Sequence, residues 1–277
     1  MTTANRPHRG AEGQSRGVTF LASVTSLEEA RLAAAGGVDI VDAKDPAAGA
    51  LGALPLATIR AIRTALPGIA LSATVGDPLP DARATADIVA ATAATGVDFV
   101  KIGFNRGAGT REAIARIGAL ALPPCRLVAV LIADRGYDTE DLPRLAAAGF
   151  AGVMLDTDDK LGPPLPELLT ASALHQFIAS AGDMGLFAGL AGSLRLAHIP
   201  ALKALRPDVL GFRGALCVGE RREGRLDAEA IQRVGRALRG EAGAGRAQPT
   251  AAQPFQPDAV PLRAGATMAR RVRERVS

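Results

Sequence analysis

Eight apolar runs of strand length recur along this chain, each followed by an alanine-rich amphipathic stretch of helical length. The runs fall at 18–24, 40–44, 70–76, 99–103, 126–133, 152–157, 186–192 and 209–217. The helical stretches fall at 27–35, 56–66, 82–95, 110–120, 139–148, 166–181, 196–205 and 227–238. Near-continuous apolar strands are buried on both faces, as in a parallel sheet covered by helices. Eight such units in about 220 residues predict an α/β fold, a (β/α)8 TIM barrel forming a single domain over residues 18–239. An open doubly wound sheet is the alternative, but no Gly-x-Gly-x-x-Gly follows the first run, where a dinucleotide-binding fold carries it. Helix ends are expected at Gly36, Gly96, Gly149 and Gly182, and Ser26 is placed to cap the first helix.

The flanks read differently. Residues 1–17 are polar and Gly-rich, and residues 240–277 are rich in Gly, Ala, Gln and Pro, so both are expected to be disordered. The net charge of +4 and pI of about 9.6 would ordinarily suggest nucleic acid or a membrane surface. Three Arg against one Glu in residues 1–17, and six Arg against three acids in 240–277, hold more than the whole excess and leave 18–239 at about −1. The absence of Trp and the single Tyr argue against stacking on bases. No apolar run approaches the ~18 residues of a membrane span. Cys125 and Cys217 lack a zinc-like spacing and suit a reducing compartment. We therefore expect a cytoplasmic protein with no nucleic-acid or membrane partner, no metal and no cofactor.

The clearest functional signal is the scarcity of lysine. Of 32 basic residues only Lys44, Lys101, Lys160 and Lys203 are lysines, and the first three lie at or just past the ends of predicted strands. Arginine stays charged, whereas a lysine amine can lose its proton, attack an aldehyde and form a Schiff base. Barrel enzymes work at the strand C-termini, where alternate strands contribute side chains to shared layers. Lys44 on strand 2, Lys101 on strand 4, Asp156 on strand 6 and Arg213 on strand 8 are expected to share one such layer. Asp42, two residues before Lys44, should point the same way. Lys160 lies in the loop above strand 6. This set supplies amines for covalent chemistry and carboxylates to move protons. Lys203, on a predicted helix, reads as a solvated side chain.

Two further groups are candidates for substrate binding. Gly189, Ala191, Gly192 and Ser193 end strand 7, and Arg213 and Gly214 follow in strand 8, where barrels commonly bind phosphate. Ser72, Thr74 and Asp77 end strand 3 with two hydroxyls and an acid, although an Asp before a Pro is also ordinary turn chemistry. His175, His198 and Cys217 read as structural.

With these residues identified, the chain resembles the (5-formylfuran-3-yl)methyl phosphate synthases. The matching segments are Asp42-Ala43-Lys44-Asp45-Pro46 with Gly49-Ala50-Leu51-Gly52, Ser72-Ala73-Thr74-Val75-Gly76-Asp77, Phe99-Val100-Lys101-Ile102-Gly103, Met154-Leu155-Asp156-Thr157 with Lys160, Leu190-Ala191-Gly192-Ser193, His198-Ile199-Pro200 and Gly211-Phe212-Arg213-Gly214-Ala215-Leu216-Cys217. The resemblance implies a barrel lyase of the carbon–oxygen type. It would join two glyceraldehyde 3-phosphate molecules into a phosphorylated furan aldehyde, losing phosphate and water, for a methanofuran-type one-carbon carrier. It puts the Schiff-base lysine at Lys44, further active-site lysines at Lys101 and Lys160, and the acids at Asp42 and Asp156. A triose phosphate is the implied partner, and a homo-oligomer is expected. Asp158 and Asp159 depart from the family pattern, which has small or apolar residues before the third lysine. The rival readings are another lysine-imine aldolase, or a phosphate-binding barrel whose basic tail recruits a partner.

Overall fold

The computed structural model describes residues 17–77, 81–105, 108–159 and 162–241. The expectations for the two ends, and for Lys160, fall outside these residues except at Gly17, Gly240 and Glu241.

Among the described residues the chain runs β1 (Thr19–Val24), α1 (Leu27–Ala35), β2 (Ile40–Ala43), α2 (Leu56–Ala65), β3 (Ala70–Thr74), α3 (Ala82–Ala93), β4 (Phe99–Phe104), α4 (Ala108–Gly118) and β5 (Arg126–Ile132). It continues with α5 (Leu142–Ala147), β6 (Gly152–Asp156), α6 (Leu165–Leu168), α7 (Ala171–Asp183), β7 (Phe187–Leu190), α8 (Ile199–Ala204), β8 (Val209–Phe212) and α9 (Ala228–Arg239). The strands close in sequence order into a parallel barrel, with β1 pairing β8 through Thr19 against Val209 and Leu21 against Gly211. The predicted TIM barrel is the observed fold.

Each strand feeds two cores, which explains why the runs read as apolar throughout. Phe20, Val41, Leu71, Val100, Leu127, Val153 and Leu210 face outward and pack with helix residues such as Ile59, Ile62, Val89, Ile117, Phe177 and Ile231. Their neighbours Leu21, Ile40, Phe99, Val128, Val130, Met154, Phe187 and Val209 fill the barrel. Phe99 and Phe187 meet edge to face with ring centroids 6.3 Å apart, a preferred aromatic geometry. The barrel's lower half is hydrocarbon.

The register is set at the N-terminal face by a recurring acid. Asp39, Asp98 and Asp208 each stand immediately before an even-numbered strand. Their carboxylates accept the N–H groups of Phe20, Leu71 and Ala188 on the preceding strands at 2.7, 2.8 and 2.8 Å. Their own N–H groups return to the carbonyls of the same three residues at 3.0, 2.8 and 2.8 Å. Ala151 makes only the backbone half of this clamp, to Leu127 at 2.9 Å. Counting from the clamp position, Asp42 and Lys101 are third, whereas Lys44, Asp156 and Arg213 are fifth. The expected single layer is therefore two layers, with Lys101 one step below.

Several boundaries differ from expectation for identifiable reasons. The stretch 166–181 divides, because Thr170 caps a new helix by accepting the Ala173 N–H at 3.2 Å. That helix passes through Gly182 and ends near Gly185, which takes the positive φ of 76°. Pro143, Pro166 and Pro200 each lie in a first helical turn, where a missing N–H costs no hydrogen bond. Ser26 caps α1 as expected, accepting the Glu29 N–H at 3.2 Å. Lys203 is not simply solvated: its ammonium donates to the carbonyls of Ala237 and Leu238, closing the C-terminal turn of α9.

Gly152 and Gly189 make room for the barrel's large inner side chains. A Cβ at Gly152 would lie 2.5 Å from the Phe187 ring, and one at Gly189 would lie 2.6 Å from the Met154 side chain. Gly152→Ala should therefore lower stability by about 1–3 kcal/mol. Denaturant unfolding of Gly152→Ala/Phe187→Leu should show less loss than the two single changes added together. Simple additivity would contradict this packing account.

Candidate active site

The upper half of the barrel turns from apolar to ionic over one layer. Asp42 is fully buried and accepts from three side chains: Ser23 Oγ to Oδ2 at 3.0 Å, Lys101 Nζ to Oδ2 at 2.9 Å, and Ser72 Oγ to Oδ1. Burial alone would push this carboxyl up. The ammonium groups of Lys101 and Lys44 and the Ser72 hydroxyl outweigh it and hold Asp42 below the usual carboxylate range. The lysines of β2 and β4 thus meet around one carboxylate although 57 positions separate them in sequence.

Lys44 follows β2 directly, its N–H held by the Val24 carbonyl at 3.1 Å. Its Nζ donates to Asp156 Oδ2 at 2.9 Å, and the two side chains are 10% and 9% exposed. The other Asp156 oxygen accepts the Thr157 N–H at 2.8 Å, which fixes the carboxylate plane. Lys44, Lys101 and Asp156 line a cavity of about 510 Å³ with Thr157, Ala191, Gly192, Ser193 and Gly214. Four of the five expected catalytic residues therefore converge. Lys160 lies outside the described residues, but its lead-in is anchored. Asp134 accepts the Asp158 and Asp159 N–H groups at 2.9 and 2.6 Å. Asp158 is itself paired with Arg135.

The wall of β7 and β8 is shaped by backbone. Gly192 has φ of 98°, and a Cβ there would sit 2.9 Å from the Thr157 methyl and 3.0 Å from its nitrogen. Ser193 also adopts a positive φ, 50°, uncommon for a residue with a Cβ. Turns of this kind bring N–H groups close to an anion.

Four candidate binding residues do other work. Arg213 spends all five N–H groups inside the protein: on Glu29 at 2.6 and 3.1 Å, and on the carbonyls of Ser23, Arg222 and Gly224. It bolts the end of β8 to α1 and to the following loop, leaving no donor for a ligand. Thr74 donates to the Gly52 carbonyl at 2.8 Å, and Asp77 accepts the Leu51 N–H at 3.2 Å. Both support the 49–52 loop away from the cavity. Gly189 is the packing glycine beside Met154. Ser72 reaches the site only through Asp42.

The sequence reading missed Ser23, which was only part of an apolar run, and the cationic rim. Arg195, from the loop after β7, and Arg221 and Arg222, from the loop after β8, line the same cavity. Their signal was position: each closely follows a strand end that carries a Gly-rich turn.

Because the Asp42 carboxyl is held below its ordinary value of 3.8, its stabilisation is full above that pH and is lost as pH falls through the lowered value. Asp42→Asn should remove that part of the acid dependence and cost about 3–5 kcal/mol near neutrality, since it leaves the Lys101 ammonium buried without its partner. Urea unfolding from pH 2.5 to 7 checks both; an unchanged acid limb would contradict the assignment.

Solved barrels share this architecture. Phosphoribosyl anthranilate isomerase from Thermus thermophilus superposes with a TM-score of 0.57 at 16% identity, covering 80% of this chain and 99% of that one. At that identity the likeness establishes the fold alone. Sequence relatives say more. A Methylorubrum extorquens protein, provisionally named a (5-formylfuran-3-yl)methyl phosphate synthase, is 44% identical over 221 residues, 79% of this chain and 91% of its own. The (5-formylfuran-3-yl)methyl phosphate synthase of Methanocaldococcus jannaschii is 36% identical over 229 residues, 78% of this chain and 97% of its own. The sequence profile of the 4-HFC-P synthase family matches residues 20–235, the span that builds the barrel and its ionic layer, and the chain belongs to that family of synthases.

Proposed function

We propose that this enzyme condenses two molecules of glyceraldehyde 3-phosphate into (5-formylfuran-3-yl)methyl phosphate through a Schiff base on Lys44, as a step toward a methanofuran-type one-carbon carrier. The observation that carries this reading is the Lys44 amine at the base of the cavity, 2.9 Å from the fixed carboxylate of Asp156.

The steps balance without an oxidant or reductant. Asp156 takes a proton from Lys44, whose Nζ then adds to the aldehyde carbon of one triose; loss of water leaves an imine. Removal of the proton at C2 gives an enamine, whose electron pair expels the phosphate from C3. C3 of the first triose then bonds to C2 of the second, which reacts as its ketose tautomer. Ring closure through the second triose's C1 hydroxyl and loss of two further waters yield the furan, and hydrolysis returns Lys44. Two triose phosphates become one furan aldehyde monophosphate, one inorganic phosphate and two waters. Asp156 and Lys160 move the protons. The Asp42–Lys101 pair keeps a fixed charge beside the reacting amine. The turns at Gly192, Ser193 and Gly214 hold the phosphate of the triose on Lys44 until it is expelled. A homo-oligomer and a cytoplasmic place of action complete the proposal.

Borohydride added with glyceraldehyde 3-phosphate should leave a stable adduct on Lys44 that is absent from Lys44→Ala, read by peptide mass. Asp156→Asn should lower kcat by about 10²–10⁴-fold. An unlabelled protein, or an adduct confined to another lysine, would overturn the mechanism. Product analysis separates this reaction from that of another lysine-imine aldolase.

A further inference from the structure

The cavity's cations divide into two classes. Lys44 is paired with Asp156, Lys101 with Asp42, and Arg213 with Glu29. Among the described residues, Arg195, Arg221 and Arg222 line the same space without any ion pair within 4.0 Å. Two carboxylates, Glu220 and Glu223, also line it, and neither pairs with these arginines. Paired cations have little attraction left for an incoming dianion, because a fixed carboxylate already neutralises each. Unpaired guanidiniums keep theirs and present forked donors that fit phosphate oxygens.

The geometry also separates the two classes in depth. The paired lysines are buried at the cavity floor, while Arg195 and Arg221 are exposed at its rim and Arg222 is half-buried. Arg222 is held in place through its own carbonyl, which accepts from Arg213 Nε at 2.8 Å. The bolt that ties β8 to α1 therefore also anchors the backbone that carries the rim.

We propose that Arg195, Arg221 and Arg222 form a second phosphate subsite, separate from the Gly192–Ser193 turn, for the phosphate monoester of the second substrate molecule. The inference rests on the two-triose reading above. A reaction that joins two phosphorylated trioses must hold two dianions in one cavity of about 510 Å³. The backbone turns serve one, and among the described residues the rim guanidiniums are the cavity's cations that no carboxylate neutralises. The rim would then bring the second triose into position and stay occupied while the first phosphate departs.

Calorimetric titration of the full-length protein with inorganic phosphate tests this directly. The unaltered protein should take up two phosphates per chain, and Arg195→Gln/Arg221→Gln/Arg222→Gln should take up one. In the same variant the KM for glyceraldehyde 3-phosphate should rise about tenfold or more, consistent with loss of charge-assisted contacts. Borohydride capture of a single triose on Lys44 should stay within about twofold of the unaltered protein. Arg-to-Lys changes at the three positions should restore the second phosphate in part, which a merely structural role would not predict. One phosphate on the unaltered protein, or two on the triple Gln variant, overturns the subsite. If the count falls from two to one but no adduct ever forms on Lys44, the subsite stands and the imine mechanism falls.

Discussion

The structure depends on burying four ionised groups in a barrel whose lower half is hydrocarbon. An unpaired ammonium or carboxylate at that depth would cost several kcal/mol. The chain avoids this by making the charges answer one another: Lys101 on Asp42, Lys44 on Asp156, with Ser23, Ser72 and the Thr157 N–H filling further carboxylate lone pairs. Among the described residues, no buried side-chain nitrogen or oxygen lacks a partner. The contacts tie β2 to β4 and, across the barrel, to β6, with Ser23 of β1 and Ser72 of β3 on the same carboxylate, so the ionic layer forms only as strands far apart in sequence come together. Fold and site are thus one construction.

That construction relies on register. A one-residue slip in a strand turns every side chain to the opposite face. It would throw Asp42 or Lys101 among the helices and draw Val41 or Val100 into the barrel. The reciprocal clamps at Asp39, Asp98 and Asp208 hold three strand pairs against such a slip from the face opposite the cavity. At the cavity end the bolt is Arg213 on Glu29. Burial pushes the Glu29 carboxyl up, but Arg213 and Thr25 prevail and keep it below its usual range.

Much of the fold was legible because a doubly buried strand and an amphipathic helix leave distinct patterns, and eight alternations admit few architectures. The convergence of Lys44, Lys101, Asp42 and Asp156 was legible from strand ends and residue chemistry. What could not be read was whether a polar side chain near a strand end was still free. Arg213, Thr74 and Asp77 look like ligands in the sequence. Their donors or acceptors are committed to Glu29, Gly52 and Leu51, each remote in the chain. Gly189 looks like an anion turn, but its missing side chain makes space for Met154. In each case the deciding neighbour lies on another element. The same gap hid the rim arginines, which were notable only once the other cations were seen to be paired.

The four-lysine composition makes the central claim open to direct observation. Protein labelled with ¹³C at lysine Cε should give a spectrum simple enough to assign, with the Lys44 signal identified by its absence from Lys44→Arg. On addition of glyceraldehyde 3-phosphate, the account predicts that the Lys44 signal moves to an imine position while that of Lys203, bound to the end of α9, stays in place. An imine signal arising from Lys101 or Lys203, or a Lys44 signal that never moves during turnover, would contradict it.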